Sequence, residues 1–349
     1  MNSIPELAEA RKALTAGARL RGLTKAAEVL RHRLSSGPRA AAFWAFDLAT
    51  FPYPTRFGLW GCAAGFARIS PYLLLLHRMH AVRFADRDGT PRTLVMNPSD
   101  IDAAMAAPFF DTLIRRYGRT LSVRMLSTRF GRAEDQLRAA GLDPRTVDYI
   151  TFDHLHVQDL RPLLGDRGIY PRAKLLVQRS EWQSVFDLHP VQRHWYVPNG
   201  CDGIPEDRVV QIEGDVDLGG GVALVFTPGH TVGNQTLVVH TEAGIFCVAE
   251  NGVSADCYSP TRSSIGGLAR HAKHYGLEVI LNANTVQGSE EQYTSMLLER
   301  TIAGRSARNP DFYNVCPSSE LTRWALSPGT APTFSHGRIR VGPIAGAVP

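Results

Sequence analysis

Cysteine is scarce and scattered in this chain. Its five cysteines (Cys62, Cys201, Cys247, Cys257, Cys316) are odd in number and nowhere spaced as CxxC, which argues against a disulfide framework and against a thiolate zinc site. A reducing cytoplasm is the expected home. Runs of like charge are missing as well. Lys and Arg number 38 against 33 Asp and Glu, and the net charge of +5 is spread over 349 residues, so no nucleic-acid partner is expected. No clean membrane span is present. The most apolar stretch, Leu59 to Leu76, contains Arg68 and Pro71 and reads as a segment buried beneath a sheet, a hydrophobic lip on a pocket, or a homodimer contact. The first thirty or so residues lack the apolar core and cleavage site of a signal peptide and read instead as a basic amphipathic helix.

What is present is an ordinary globular composition, 44% hydrophobic and 20% charged, enough for one large core with a modest appendage. Residues 1–45 read as an N-terminal helical extension ending in the SSGPR punctuation, residues 46–304 as the main domain, and residues 305–349 as a Pro/Ser-rich tail packing on it. From His80 to Asn97, two β-rich runs flank an Asp-Gly turn, which predicts a hairpin. Helical patterns then lead to the short apolar run VDYITF. After it, VVQIEG, VALVFT, TLVVHT and GIFCVAE read as strands, with SEWQSVFDL as a helix among them. Strands and helices alternate in two comparable halves, an α/β pattern.

Three strand ends carry the chemistry. Asp153-His154-Leu155-His156 follows VDYITF directly, and residues two apart project to one side, which is chelate geometry. Alone, an HxH pair also reads as polar surface. Thr227-Pro228-Gly229-His230-Thr231 ends VALVFT, where Pro and Gly force a turn that lifts His230 out of the sheet. Glu250 ends the apolar run GIFCVAE, where a carboxylate is costly unless it meets a cation.

Taken in order, LDPRTVDYITFDHLHVQDLRPLLG, FTPGHTVGNQTLVV and GIFCVAEN resemble the successive signatures of the metallo-β-lactamase superfamily, over roughly residues 50–300. The resemblance implies an αββα four-layer sandwich with metal at the mouth of its sheets. In that family an HxHxDH motif, the histidine of TPGH, a bridging aspartate and a final histidine hold two metals. His154, His156 and His230 match the first metal site. The second departs from the pattern: Gln158 and Asp159 stand at the motif's aspartate and third histidine, Glu250 replaces the bridging aspartate, and the final histidine falls at Asn282 or, preferably, Asn284.

The candidate ligands are therefore His154, His156, His230, Glu250, Asp159 and Asn284. Asp159 also reads as a helix N-cap or as the partner of Arg161, and Gln158 as a hydrogen-bond partner of a ligand rather than a ligand itself. Arg161 at the rim is either a seat for an anionic substrate or an ion-pair member, and Tyr258 either faces the pocket or packs in the core. Zinc is the first choice of metal, with iron or manganese favoured by an oxygen-rich second site, as one or two ions. The leading expectation is metal-assisted hydrolysis of a small ester, lactone, thioester or amide, apolar or anionic, with Asp159 or Glu250 as proton acceptor. A di-iron or mono-iron oxygenase on the same fold is the alternative, and a non-catalytic metal-binding descendant is the third reading.

Overall fold

The structure, a computed structural model, describes residues 1–62, 71–118, 120, 127–283 and 288–346. Its described strands form two sheets. The first runs, in spatial order, β1 (Asn2–Ser3), β9 (Val216–Gly219), β10 (Val222–Phe226), β11 (Gln235–Thr241), β12 (Gly244–Ala249) and β13 (Val315–Pro317). The second runs β15 (Arg340–Val341), β2 (Ala42–Pro54), β3 (Tyr72–Ala85), β4 (Pro91–Met96), β6 (Tyr149–Thr151), β7 (Lys174–Gln178) and β8 (Val209–Ile212). To it β14 (Ser319–Thr322) adds against β3, and β5 (Thr128–Arg129) against β2.

The alternation of side chains along the strands builds the layers. Val222 and Leu224 of β10 and Leu237 and Val239 of β11 meet Phe43, Val82, Phe84 and Leu94 of the other sheet in one buried cluster. Their neighbours Ala223, Val225 and Val238 face the opposite way and join the larger cluster that includes the helices. Helix Ala16–Ser35 contributes Leu23, Ala27, Leu30 and Leu34 to that cluster, and helix Ser289–Ala303 packs against it and against β12. Helix Ala133–Ala139 lies against β2 on the far side. The order is helix, sheet, sheet, helix, as the resemblance implies.

The predicted hairpin forms as β3 and β4. Asp86 closes it by accepting the N–H groups of Asp88 and Thr90, and β3 begins well before His80, at Tyr72. The apolar Leu59–Leu76 stretch divides: Leu59 is fully buried, Tyr72–Leu76 opens β3, and residues 63–70 lie outside the described ones. Both termini enter the sheets. β1 pairs with β9, β2 already begins at Ala42, and the chain after residue 304 supplies β13, β14 and β15.

Strand direction decides where function gathers. β4, β6, β7 and β8 are mutually parallel, so they all end on one edge of the second sheet. β10 and β12 run alike because each is antiparallel to β11, and β13 is parallel to β12. The loops following β6, β7, β10, β12 and β13 therefore carry His154 and His156, Glu181, His230, Glu250, and Ser318 and Ser319. A crevice at the carboxyl ends of strands is where α/β folds place ligands.

Candidate metal centre

His154, His156 and His230 converge there. One nitrogen from each of the three buried rings lies within 4.8 Å of the other two, and no other group of three or more His, Cys, Asp or Glu gathers in this way among the described residues. The rings stand edge to face, with centroids 4.5 Å apart for His154 and His156 and 4.6 Å for His154 and His230.

Two of the rings are held by hydrogen bonds and the third stands beside a carboxylate. His156 Nε2 donates to Gln192 Oε1 at 2.9 Å, and His230 Nδ1 donates to the carbonyl of Asn282 at 2.9 Å. His154 Nδ1 lies 2.9 Å from Asp153 Oδ1. The bonds to Gln192 and Asn282 fix the tautomers of His156 and His230, so that Nδ1 of His156 and Nε2 of His230 carry the ligating lone pairs. Burial, reinforced by the neighbouring His154, holds His156 far below the usual histidine range and His230 down at about 3. Both rings are neutral at physiological pH, the form that ligates. Three imidazoles gathered in this way fit zinc with an open fourth position.

The trio sits in the wall of a cleft with two kinds of surface. Phe51, Tyr53, Phe109, Phe110, Leu113 and Trp195 form an apolar side. Its rings pack tightly, Phe109 lying 4.8 Å from Trp195 and 5.1 Å from Phe110 between centroids. The polar side holds His77, Ser99, Asp153, Gln158, Glu250 and Ser319. Asp153 accepts from Asn97 Nδ2 and from the Ser318 hydroxyl, and although burial opposes its charge, His154 and these donors hold it well below the usual carboxylate range. Glu250 Oε2 accepts the Ser319 N–H at 2.9 Å. Burial, then the nearby Asp153, pushes its acid well above the ordinary value. His77 bridges Ser99 and Ser319 and is lowered by burial to about 4.

The expected second-site residues fall in different places. Asp159 accepts from the Arg161 backbone N–H and from Arg161 Nε and Nη2 at 2.6–3.0 Å; it stands outside the histidine group and does not line the cleft. Its Arg161 alternative is the arrangement observed, for reasons of reach: only Leu160 lies between the two, and a guanidinium fork takes both carboxylate oxygens. Glu250 and Gln158 line the cleft, yet Glu250 is not in the group of three. Asn282 receives the Tyr53 hydroxyl on Oδ1 and holds His230 through its carbonyl, while Asn284 lies outside the described residues. Tyr258 is fully buried and donates to Glu299, away from the cleft.

Among solved structures, the chain matches AidC, a dizinc quorum-quenching lactonase in complex with a product, over 88% of this chain and 97% of that one, with a TM-score of 0.52 at 11% identity. A probable metal-dependent hydrolase from Staphylococcus aureus matches over 72% and 82%, with a TM-score of 0.51 at 12% identity. This is the metallo-β-lactamase fold. Two curated relatives match by sequence. The N-acyl homoserine lactonase AttM of Rhizobium radiobacter is 32% identical over 118 residues, 30% of this chain and 40% of that protein. An N-acyl homoserine lactonase of a Bacillus species is 32% identical over 106 residues, 30% of this chain and 38% of that protein. The match thus spans about two fifths of those relatives' length. No family model matches. On the metallo-β-lactamase scaffold the histidine trio occupies the strand-end crevice, and no described helix is long and apolar enough to cross a membrane.

Proposed function

We propose that the protein is a metal-dependent hydrolase that opens a lactone, using one zinc ion held by His154, His156 and His230. The observation that carries this reading is the convergence of three buried imidazoles on the wall of a largely apolar cleft. The lactonases with which it shares sequence and fold give the substrate class: an N-acylated homoserine lactone, whose ring belongs beside the trio and whose acyl chain belongs along Phe51, Phe109, Phe110 and Leu113. A single ion is favoured because no second group of three or more His, Cys, Asp or Glu assembles among the described residues.

Bound there, zinc supplies Lewis-acid polarisation of the scissile carbonyl and acidifies a water toward a pKa of about 7. The chain supplies the rest. Gln192 and Asn282 hold His156 and His230 in the ligating orientation, and Asp153 stands beside His154. Glu250 is a cleft-wall carboxyl with no ion-pair partner among the described residues; in its ionised form it takes the proton lost on attack and returns it to the departing alkoxide oxygen. Asp159, spent on Arg161, takes no part. The aromatic wall keeps bulk water from the acyl side and orients the ring by burying the chain. The oxygenase alternative calls for a carboxylate-rich pair of sites, and the group of three contains histidine alone.

The test is direct. Zinc-loaded protein is mixed with N-decanoyl homoserine lactone and ring opening is followed as acid release. Turnover that a chelator removes and zinc restores supports the reading. A fully zinc-loaded protein that opens no acyl homoserine lactone, short or long, overturns it.

A further inference from the structure

A buried acid behind the metal centre links both histidine loops. Glu181, in helix Arg179–Ser184 just after β7, is 0% exposed and has no ion-pair partner among the described residues. Its carboxylate accepts four hydrogen bonds. Oε1 receives the backbone N–H of Leu155, the residue between His154 and His156, at 2.9 Å, and the hydroxyl of Tyr196 at 2.8 Å. Oε2 receives the hydroxyl of Thr231, next to His230, at 2.7 Å, and the N–H of Gly233 at 3.2 Å. Tyr196 in turn stands edge-on to His156 with ring centroids 4.8 Å apart.

We propose that Glu181 is a positioning residue that sets the spacing between the two histidine loops, so that zinc affinity depends on an acid that never touches the ion. This rests on the metal reading above. The two loops come from different sheets, the first from β6 and the second from β10, and Glu181 joins them with one oxygen to each side. Charge-assisted bonds to a buried carboxylate are stiffer than neutral ones, and a fully satisfied carboxylate of this kind tolerates little displacement. The fit is close: a Cβ on Gly233 would lie 2.3 Å from the Glu181 Cβ, so the second loop reaches the acid only because a glycine stands there.

The tests are Glu181→Gln, which keeps the shape and one acceptor oxygen, and Thr231→Val, which removes a single donor without changing volume. Zinc affinity is measured by competition with a chromophoric chelator. Amide hydrogen exchange at Leu155 and Gly233 is measured in the metal-free protein. The expected results are zinc binding about 10- to 100-fold weaker for Glu181→Gln, a smaller loss for Thr231→Val, and a double variant no worse than Glu181→Gln alone. Exchange should rise at both amides together in Glu181→Gln, with or without zinc. Unchanged zinc affinity in a folded Glu181→Gln protein overturns the proposal, even if stability falls. A wild type that binds no zinc overturns the metal reading and this proposal with it, an outcome told apart because the variants are then never compared. Strictly additive single variants would assign Glu181 and Thr231 independent roles and overturn the coupling.

Discussion

His156 reaches the trio with its Nε2 already donating to Gln192, and that bond decides which nitrogen it offers. Gln192→Leu should therefore weaken zinc binding by about 10- to 100-fold while leaving the fold intact, as read by chelator competition alongside circular dichroism. Equal affinity would show that the ring orients itself by packing alone. Three of the site's residues were legible in the sequence because their motifs are local: His154 and His156 two apart at a strand end, and His230 lifted by Pro228 and Gly229. The groups that orient them were not. Gln192 sits in the unpatterned HPVQRHW, and Asn282 reaches His230 through a backbone carbonyl, which any residue type could supply. His77 carries no local motif, since its partner Ser319 arrives with β14, 242 residues downstream. Asp159 shows the converse. Its position invited a ligand role, but Arg161 two residues on holds it.

At the scale of elements, the second histidine loop and helix Arg179–Ser184 approach until only hydrogen fits between them. Gly233→Ala should cost about 1–3 kcal/mol in urea unfolding, because the new methyl meets the backbone and Cβ of Glu181 rather than a flexible side chain. A variant as stable as the parent would mean the loop relaxes freely. Helix Pro108–Tyr117 governs the other side of the cleft, presenting Phe109, Phe110 and Leu113 toward it. Burial of each methylene is worth about 0.8 kcal/mol. Phe110→Ala should therefore lower kcat/KM for a decanoyl lactone by roughly tenfold or more and leave a butanoyl lactone nearly unaffected, as steady-state kinetics on the two substrates will read. An equal loss on both would place the chain elsewhere. The strands themselves were readable from alternation and turn residues. The lengths of β2 and β3 were not, because their apolar runs continue past the point where alternation is visible.

For the whole molecule, buried neutral histidines set the acid limit of stability. Burial lowers His80 to about 3 and His336 to about 4, against 6.5 in the unfolded chain. Between those values and 6.5 the unfolded chain binds the protons and the folded one does not. Stability contributed by these groups is full above pH 6.5 and is lost as pH falls, by roughly 1.4 kcal/mol per pH unit for each group. Urea unfolding of the metal-free protein from pH 7 to pH 4.5 should show this fall, and His80→Gln should flatten its slope by about one group's share; an identical slope would contradict it. The αββα order was readable from the alternation of elements and the resemblance together. The roles of the chain ends were not: β1 and β15 are two residues long, and their pairing is set by tertiary contacts rather than local preference. All these layers converge on one centre, and its metal content tests the account most directly. Protein purified without added metal should carry close to one zinc per chain, and His230→Ala should carry almost none. Two irons per chain, or no stoichiometric metal at all, would contradict it.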